Sequence, residues 1–260
     1  GKKVIWTDHA DLKYIFANHQ IWYKNPIGKL VYVCSKLARA VTLVSHSEAR
    51  LISEQLGHQL PHHYVVIHNG INDEVVKPRQ RDSRTLDKFV YCSTSRLVAA
   101  KGIGELITAF SALHSKFPAT QLWVVGDGPE RKYFTELAEN QDGIVFVGHS
   151  DDPLSYVAAS DAFVHPSYHE GFSLSLIEAA MLGKPIIACN VGGNPEVIKD
   201  KRTGLLIPPY DSSALFQAMR TLYTDKQLAK KLGNSARLNY ERRFQFERIV
   251  KEKFIPLYEK

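Results

Sequence analysis

Nine short apolar runs alternate along this chain with longer segments of helical periodicity. The runs are rich in Val and Ile and lie at residues 4–6, 41–44, 65–67, 89–92, 122–125, 144–147, 162–164, 186–188 and 205–207. Each is too short for a helix and is typical of a strand buried on both faces. Segments such as 103–113 and 215–222 instead space apolar residues by three and four, which places them on one helical face. Because parallel strands need crossovers, which are usually helical, the alternation predicts an α/β fold with parallel sheets.

Two aspartates stand where helices are expected to begin. Asp152 precedes Pro153, and Asp211 precedes Ser212. An aspartate side chain accepts a hydrogen bond from a free N–H of the first helical turn, and proline fits the first position because its missing N–H costs nothing there. We therefore predict that both aspartates are N-caps.

A polar stretch without apolar periodicity divides the chain. It follows an Asn-Gly pair and includes residues 77–84, so we predict an interdomain linker at residues 76–86. Six of the nine strand candidates follow it, enough for a complete Rossmann-like domain over residues 87–237. Only three precede it, which predicts a partial Rossmann-like domain over residues 1–75. The chain has no initiator Met and opens close to its first apolar run, so we expect a fragment of a longer protein.

Composition narrows the class of protein. The 260 residues are 44% hydrophobic and 23% charged, as in globular rather than disordered or fibrous chains. The net charge of +6 suits phosphate-bearing ligands and is far from a nucleic-acid-binding profile. Cys34, Cys92 and Cys189 each lie in an apolar run, which predicts buried thiols in a reducing compartment. No signal peptide or run of roughly 18 apolar residues occurs, so we expect a cytoplasmic protein.

The loop after the run at 89–92 carries two cations, Arg96 and Lys101, just before a helix. Both oppose the helix dipole, so an anion is expected to compensate them. In doubly wound sheets, ligands gather at the carboxyl ends of strands, where helix N-termini attract anions. A diphosphate site is one interpretation of this loop, and a pair of solvated surface cations is the other.

A second loop follows the run at 162–164 and opens another helix. Gly171 and Ser173 leave backbone N–H groups accessible to a phosphate, while Glu170 and Glu178 are carboxylates able to hold sugar hydroxyls. A surface helix with two incidental glutamates is the alternative interpretation.

A glycine turn follows the run at 122–125. Arg131 stands where the third glycine of the dinucleotide-binding fingerprint belongs, and Pro129 follows the second glycine. A dehydrogenase is therefore disfavoured.

These motifs, in this order and spacing, resemble the retaining glycosyltransferases of family 4 (glycosyl transferases group 1), which have the GT-B fold of two Rossmann-like domains. The matching stretches are 95–97, 101–102, 106–107, 109–110, 125–129, 147–148, 160–167, 170–172, 178–179, 183–186, 192–196 and 204–206. Upstream, residues 67–72, 44–45 and 7–9 look like the second half of the family's first domain. The Glu170-x7-Glu178 pair is the most specific of these features. By the same resemblance, residues 238–260 are expected to form helices that pack back toward the N-terminal domain.

The resemblance implies roles for individual residues. Arg96 and Lys101 would bind the donor diphosphate and stabilise its growing charge in place of a metal ion. Glu170 would hold the donor sugar, Glu178 the ribose, and the loop at Gly148 and His149 would face the base. The nucleotide-sugar-binding set is Arg96, Lys101, Gly126, Gly148, His149, Glu170, Gly171, Phe172, Ser173, Leu174 and Glu178, and the catalytic set is His9, Arg96, Lys101 and Glu170.

The implied reaction moves a hexosyl group from a nucleotide diphosphate sugar, with UDP the expected nucleotide, to a glycan or lipid-linked acceptor in cell-surface polysaccharide synthesis. Retention in this family is described as front-face attack in which the leaving phosphate takes the proton, so no side-chain nucleophile is named. His9 would lie across the cleft from the donor sugar, although a lone strand-end histidine is also compatible with a local hydrogen bond.

No cofactor or metal ion is expected. The histidines at residues 58–63 are interrupted by Pro61, and His169-Glu170 lacks the second histidine of the zinc-protease motif.

Residues 12–47 contain no acidic side chain but several cations and aromatic residues. Residues 13–39 are thus a candidate for peripheral contact with the inner face of a membrane, and a solvated basic helix is the alternative.

Two other functions stay open at this point. The chain could bind the donor without turnover, or it could be a different GT-B enzyme, such as a sugar-nucleotide epimerase or a phosphorylase.

Overall fold

The computed structural model describes residues 4–8, 34, 37–83, 85–139 and 141–259. Each of the nine apolar runs overlaps a strand in this structure. The strands are β1 (Ile5–Asp8), β2 (Ala40–Leu43), β3 (Tyr64–Val66), β4 (Phe89–Thr94), β5 (Thr120–Val125), β6 (Ile144–Gly148), β7 (Ala162–His165), β8 (Ile186–Cys189) and β9 (Leu205–Ile207).

Helices connect the strands, as the periodicity predicts. They are α1 (His46–Leu56), α2 (Ile103–His114), α3 (Arg131–Leu137), α4 (Pro153–Ala159), α5 (Leu174–Met181), α6 (Asn194–Val197), α7 (Ser212–Thr224), α8 (Lys226–Arg243), α9 (Phe246–Ile249) and α10 (Ile255–Glu259). A 3₁₀ turn spans Ala99–Lys101, and a π-helical turn spans Val250–Phe254.

The strands form two parallel sheets, so the predicted α/β fold is confirmed. One sheet has the order β1-β2-β3, and the other has the order β6-β5-β4-β7-β8-β9. In the larger sheet the chain runs outward from β4 to β6 and then returns to place β7 on the other side of β4. The carboxyl ends of β4 and β7 therefore flank the point where the strand order reverses.

Helices cover both faces of the larger sheet. In β5, Leu122 and Val124 point into one apolar core with α2 and α7, while Trp123 and Val125 point into the other with α4 and α5. Burial on both faces explains why this strand reads as a nearly continuous apolar run.

Both predicted N-caps are confirmed. The Asp152 side chain accepts a hydrogen bond from the backbone N–H of Ser155, and Asp211 accepts one from Ala214. Each cap fixes the start of a helix that packs on the larger sheet, α4 on one face and α7 on the other.

The C-terminal helices contact residues that lie much earlier in the chain. Ile71 donates its N–H to the carbonyl of Phe244 and accepts a hydrogen bond from the N–H of Phe246, at 3.0 and 2.9 Å. Further along, the Arg39 Nε donates to the carbonyl of Leu257 at 2.8 Å. A residue just before β2 and one soon after β3 are thus both tied to the end of the chain.

The cysteines only partly follow the prediction. Cys92 and Cys189 are buried, but Cys34 is exposed, so the expectation of three buried thiols is wrong at that position. An apolar neighbourhood in sequence does not decide which side of a short segment faces the solvent.

Two predicted sites lie outside the described residues, wholly or in large part. His9 is one, and the candidate membrane surface at residues 13–39 is the other, with only Cys34 and residues 37–39 described. Within the described part of the chain, no helix is long and apolar enough to span a bilayer.

Candidate active site

Two loops meet at the reversal of strand order in the larger sheet. One follows β4 and leads through the 3₁₀ turn into α2, and the other follows β7 and leads into α5. The N–H of Tyr168 donates to the carbonyl of Ala100 at 2.9 Å, which joins the loops directly. Open α/β sheets bind their ligands at such a reversal, beyond the carboxyl ends of the strands.

Gly102 allows the two loops to approach. Its φ is 66°, in the left-handed region, and a Cβ at this position would lie 2.2 Å from the carbonyl oxygen of Pro166. A side chain is therefore excluded by both backbone conformation and space. The close approach brings Lys101 against the loop that carries Glu170.

Glu170 is the centre of a buried polar cluster. Its Oε1 lies 2.6 Å from the Lys101 Nζ and 2.9 Å from the His165 Nε2. The hydroxyl of Ser173 lies 3.3 Å from the same His165 nitrogen. The side chain of Glu170 is 12% exposed, and that of His165 is 4% exposed.

The surroundings of Glu170 keep its carboxylate ionised. Burial alone would raise the pKa of Glu170, but the hydrogen bond and charge of His165, together with Lys101, lower that pKa to about 2. The anion expected beside the cationic loop is thus partly supplied by the protein, because Lys101 is paired with Glu170.

A cavity of about 580 Å³ lies beside this cluster. Arg96, Lys101, Glu130, His169 and Glu170 are among the residues that line it. The Arg96 side chain is exposed and forms no hydrogen bond or ion pair with another described residue, so its charge remains available to a ligand.

A second cavity, of about 380 Å³, shares Arg96 with the first. Its lining includes Gly126, His149, Ser175 and Glu178. The structure therefore brings together predicted residues from the loops after β4, β5, β6 and β7 around two adjoining cavities.

Glu178 differs from Glu170 in its surroundings. Burial, and then the charge of Glu74, raise the pKa of Glu178 above its usual value. Among the described residues, the Glu178 carboxylate has no hydrogen-bond or ion-pair partner. A half-buried carboxylate in this state is suited to accept hydrogen bonds from the hydroxyls of a ligand.

Gly126 lines the second cavity at a position where a side chain would not fit. Its φ is 134°, and a Cβ would lie 1.9 Å from the carbonyl oxygen of Ser95. The turn after β5 therefore packs directly on the loop after β4, which holds Arg96 at the junction of the cavities.

A third cavity, of about 430 Å³, separates the start of α1 from the loops after β7 and β8. Ser47, Arg50, Glu170, Gly171 and Gly192 are among its lining residues. Glu170 lines both this cavity and the one of about 580 Å³. It therefore lies between a space bounded by the larger sheet alone and a cleft shared with residues that follow β2.

The remaining predicted residues of the β7 loop point elsewhere. Phe172 is 8% exposed and its ring stacks on His68 and packs against Phe244, while Ser173 is 4% exposed. Leu174 is exposed at the start of α5 but lines none of the three cavities. Any contact that Phe172 makes with a ligand must come from its backbone.

Two features of the site were missed by sequence reasoning. His165 belongs to a stretch used for the family resemblance, but no role was assigned to it. Its position at the end of β7, close before Glu170, was the available signal.

The second feature is Gly192-Gly193. A Cβ at Gly192 would lie 1.7 Å from the carbonyl oxygen of Glu170, and the N–H of Gly193 donates to that oxygen at 3.2 Å. The glycine pair thus sets the backbone position of Glu170, through a contact that only the fold creates.

Comparison with known proteins identifies similar sequences. A model of the family described as glycosyl transferases group 1 matches residues 76–239. N-acetyl-alpha-D-glucosaminyl L-malate synthase of Bacillus anthracis is 32% identical over 226 residues, covering 82% of this chain and 57% of that protein. Capsular polysaccharide biosynthesis glycosyltransferase CapM of Staphylococcus aureus is 31% identical over 171 residues, covering 64% and 45%. The chain spans about half the length of these curated relatives.

Solved structures share the fold. Anabaena HepE in complex with UDP superposes with a TM-score of 0.85 at 24% identity, covering 100% of this chain and 73% of that chain. Sucrose-phosphate synthase from Thermosynechococcus elongatus superposes with a TM-score of 0.78 at 26% identity, covering 98% and 67%.

Proposed function

Because the chain belongs to the family of glycosyl transferases group 1, we propose that it transfers a hexosyl group from a UDP-sugar to a glycan or lipid-linked acceptor. We assign it to the retaining, metal-independent GT-B enzymes of family 4 and to cell-surface polysaccharide synthesis. Support comes from HepE, whose structure holds UDP, and from CapM, a capsular polysaccharide biosynthesis glycosyltransferase.

The observation that carries this proposal is the pair of adjoining cavities that share Arg96. One contains Glu178, a half-buried carboxylate that suits the ribose hydroxyls, and the other contains the Lys101–Glu170 pair, which suits a sugar and its phosphate. A nucleotide diphosphate sugar has the same order of parts, with the diphosphate between the nucleoside and the sugar. Arg96 lines both cavities and would therefore lie beside the diphosphate.

Arg96 and Lys101 would stabilise the negative charge that grows on the diphosphate as the glycosidic bond breaks. We also assign a phosphate contact to the backbone N–H groups of residues 171–173, and the base to the loop at Gly148 and His149. His9 would contact the donor from the other side of the cleft.

The acceptor hydroxyl would attack the anomeric carbon on the face from which the diphosphate departs. A bond forms between the acceptor oxygen and the anomeric carbon, the bond from that carbon to the phosphate oxygen breaks, and the phosphate oxygen takes the hydroxyl proton. No side-chain nucleophile takes part. Glu170 lines both the cavity of about 580 Å³ and the cleft of about 430 Å³, so we place the acceptor in that cleft, whose lining includes Ser47 and Arg50.

We retain the predicted division into an N-terminal domain at residues 1–75, a linker at 76–86, a donor-binding domain at 87–237 and C-terminal helices at 238–260. Consistent with it, the structure has separate sheets before and after residues 76–86.

Calorimetric titration with UDP, GDP and ADP in the presence of EDTA tests the donor site. We expect UDP to bind without metal, and we expect Glu178→Ala to weaken binding by about 10- to 100-fold because hydrogen bonds to charged groups contribute about 1.5–3 kcal/mol. Glu136→Ala, which changes an exposed glutamate paired with Lys132 on α3, is the matched control. Absence of nucleotide binding, or equal binding by both variants, would contradict the assignment.

Donor binding without turnover is the second candidate function, since the chain spans only about half the length of its curated relatives. Release of UDP from UDP-glucose and UDP-N-acetylglucosamine, with and without an acceptor glycan, separates the two. Tight UDP binding with no release favours the donor-binding module, whereas acceptor-dependent release favours the transferase.

A further inference from the structure

A second cluster of chemically active side chains lies at the junction of the two sheets, apart from the three cavities. His46 is the first residue of α1, His68 follows β3, and Glu196 belongs to α6. One ligand atom from each, a ring nitrogen or a carboxylate oxygen, lies within 4.8 Å of the other two. None of the three residues lines the cavities assigned to the donor or the acceptor.

Two of these side chains are held in place before any ligand arrives. The Glu196 carboxylate accepts hydrogen bonds from the backbone N–H groups of His46 and Ser47, at 2.9 and 2.8 Å. The His68 ring stacks on Phe172 at 5.0 Å with an interplanar angle of 8°, which aims its Nε2 at Glu196, 2.8 Å away.

His46 supplies the third ligand atom of the cluster. His46 is exposed, so its ring can adjust its position, and it already lies 5.7 Å from the His68 ring, centroid to centroid.

Two imidazoles and one carboxylate form a donor set suited to a borderline divalent ion such as Zn²⁺ and poorly suited to Mg²⁺ or Ca²⁺, which prefer oxygen ligands. Tetrahedral zinc at about 2.0–2.2 Å from each ligand would separate the ligand atoms by about 3.3–3.5 Å. The contact between His68 and Glu196 would therefore lengthen by about half an ångström. The ion would displace the hydrogen bond between the His68 Nε2 and Glu196, and the neutral imidazole would then carry its one proton on Nδ1.

We propose that His46, His68 and Glu196 form a binding site for a divalent transition-metal ion, best suited to Zn²⁺, that clamps the two sheets together. The two histidines follow strands of the smaller sheet, and Glu196 follows β8 of the larger one. Three protein ligands leave one position for water. The ion has no role in the departure of the diphosphate, because its ligands lie outside the donor cavities.

Titration of EDTA-treated, dialysed protein with Zn²⁺ and with Co²⁺ tests the site directly. We expect one equivalent of Zn²⁺ to bind, and Co²⁺ to give the visible absorption bands of a four-coordinate ion. His46→Gln should weaken Zn²⁺ binding by about 100-fold or more, since loss of even an outer partner of a metal ligand costs about 10- to 100-fold. Because His46 is exposed, this variant should fold, and circular dichroism checks that it does.

His68→Gln should have the same effect. The control is a double variant, His62→Gln with His63→Gln, which removes a different pair of histidine rings whose centroids lie 5.9 Å apart. Zinc binding that survives His46→Gln, or that disappears only in the control, would overturn the proposal, as would no binding at all. UDP titration of the same samples is a separate readout, so failure of the metal site leaves the donor assignment unaffected.

Discussion

At the scale of single residues, the two carboxylates of the site have opposite surroundings and opposite pKa shifts. Glu170 is surrounded by Lys101 and His165, and its pKa falls to about 2, whereas the Glu178 carboxylate has no partner among the described residues and its pKa is raised. Glu170 is therefore positioned by the protein itself, while Glu178 remains free for a ligand. Two hydrogen-bond partners on one buried carboxylate oxygen hold Glu170 in one geometry, which suits its proposed contact with the donor sugar.

His165→Gln tests how Glu170 is held. Loss of the charged hydrogen bond should lower the free energy of unfolding by about 1–3 kcal/mol at pH 7. A carboxyl whose folded pKa is depressed contributes stability above its unfolded pKa of about 4.5 and loses it as pH falls through the folded pKa. The difference between wild type and variant should therefore shrink between pH 4.5 and about 2. Denaturant unfolding across this range measures it.

His149→Gln is the matched control for this series, because His149 and Asp151 are largely exposed. A gap between wild type and His165→Gln that stays constant down to pH 2 would contradict the assigned role.

Substitution of alanine for two different glycines should change the free energy of unfolding in opposite directions. Gly126→Ala should destabilise the protein by more than about 2 kcal/mol, because φ is 134° and a Cβ would meet the Ser95 carbonyl oxygen at 1.9 Å. Gly104→Ala, in the first turn of α2, should instead stabilise it by about 0.5–1 kcal/mol, because only Leu137 lies within contact, at 3.9 Å. Thermal melting of both variants measures the difference. A Gly126→Ala variant as stable as the wild type would be evidence against the close backbone approach of the turn after β5 to the loop after β4.

At the scale of elements, the C-terminal helices complete the core beside the site. Phe244, the residue directly after α8, is fully buried, with its ring centroid 5.9 Å from that of Phe172 and 6.0 Å from that of His68. The Tyr240 hydroxyl, one turn earlier, donates to the carbonyl of Ile71 at 3.1 Å. The end of α8 thus supports the β7 loop from behind and anchors the segment that precedes residues 76–86.

Phe244→Ala should therefore cost about 3–5 kcal/mol, as expected for a fully buried aromatic ring. Phe246→Ala, two residues away, should cost less than about 1 kcal/mol, because that side chain is 45% exposed. Urea unfolding of the two variants gives the comparison. Equal losses would mean that the end of α8 does not pack as described.

At the scale of the whole molecule, the two sheets are joined by polar contacts as well as by the C-terminal helices. Glu196 of α6 accepts hydrogen bonds from the first N–H groups of α1, which belongs to the other sheet. Arg237 of α8 forms an ion pair with Asp73, ahead of the proposed linker. The two sheets are therefore held together by polar contacts to which residues before and after the proposed linker both contribute.

Ligand binding should stabilise the molecule as a whole. UDP at about 100 times its Kd should add about 2.7 kcal/mol and raise Tm by roughly 5–10 °C. Glu178→Ala should show a much smaller rise at the same concentration, while Glu136→Ala should respond like the wild type. A scan of Tm against UDP concentration measures this, and no rise in the wild type would argue against a UDP site.

Much of this structure could be predicted from the sequence because the information is local. Each apolar run became a strand, and Asp152 and Asp211 cap the helices they precede, since strand burial and capping depend on neighbouring residues. The loops with Arg96, Lys101, Glu170 and Glu178 were identified in the same way, because each directly follows a strand or opens a helix.

What the sequence by itself determined is thus the α/β class, the order of elements and the loops that carry the chemistry. Only the tertiary structure decided that His165 holds Glu170, that Phe172 turns inward against His68 and Phe244, and that Arg96 joins two cavities. It alone also brought His46 and His68 to Glu196 across separations of 150 and 128 residues. These contacts depend on strand order and on the approach of backbones at glycines, which arise only when the sheets assemble.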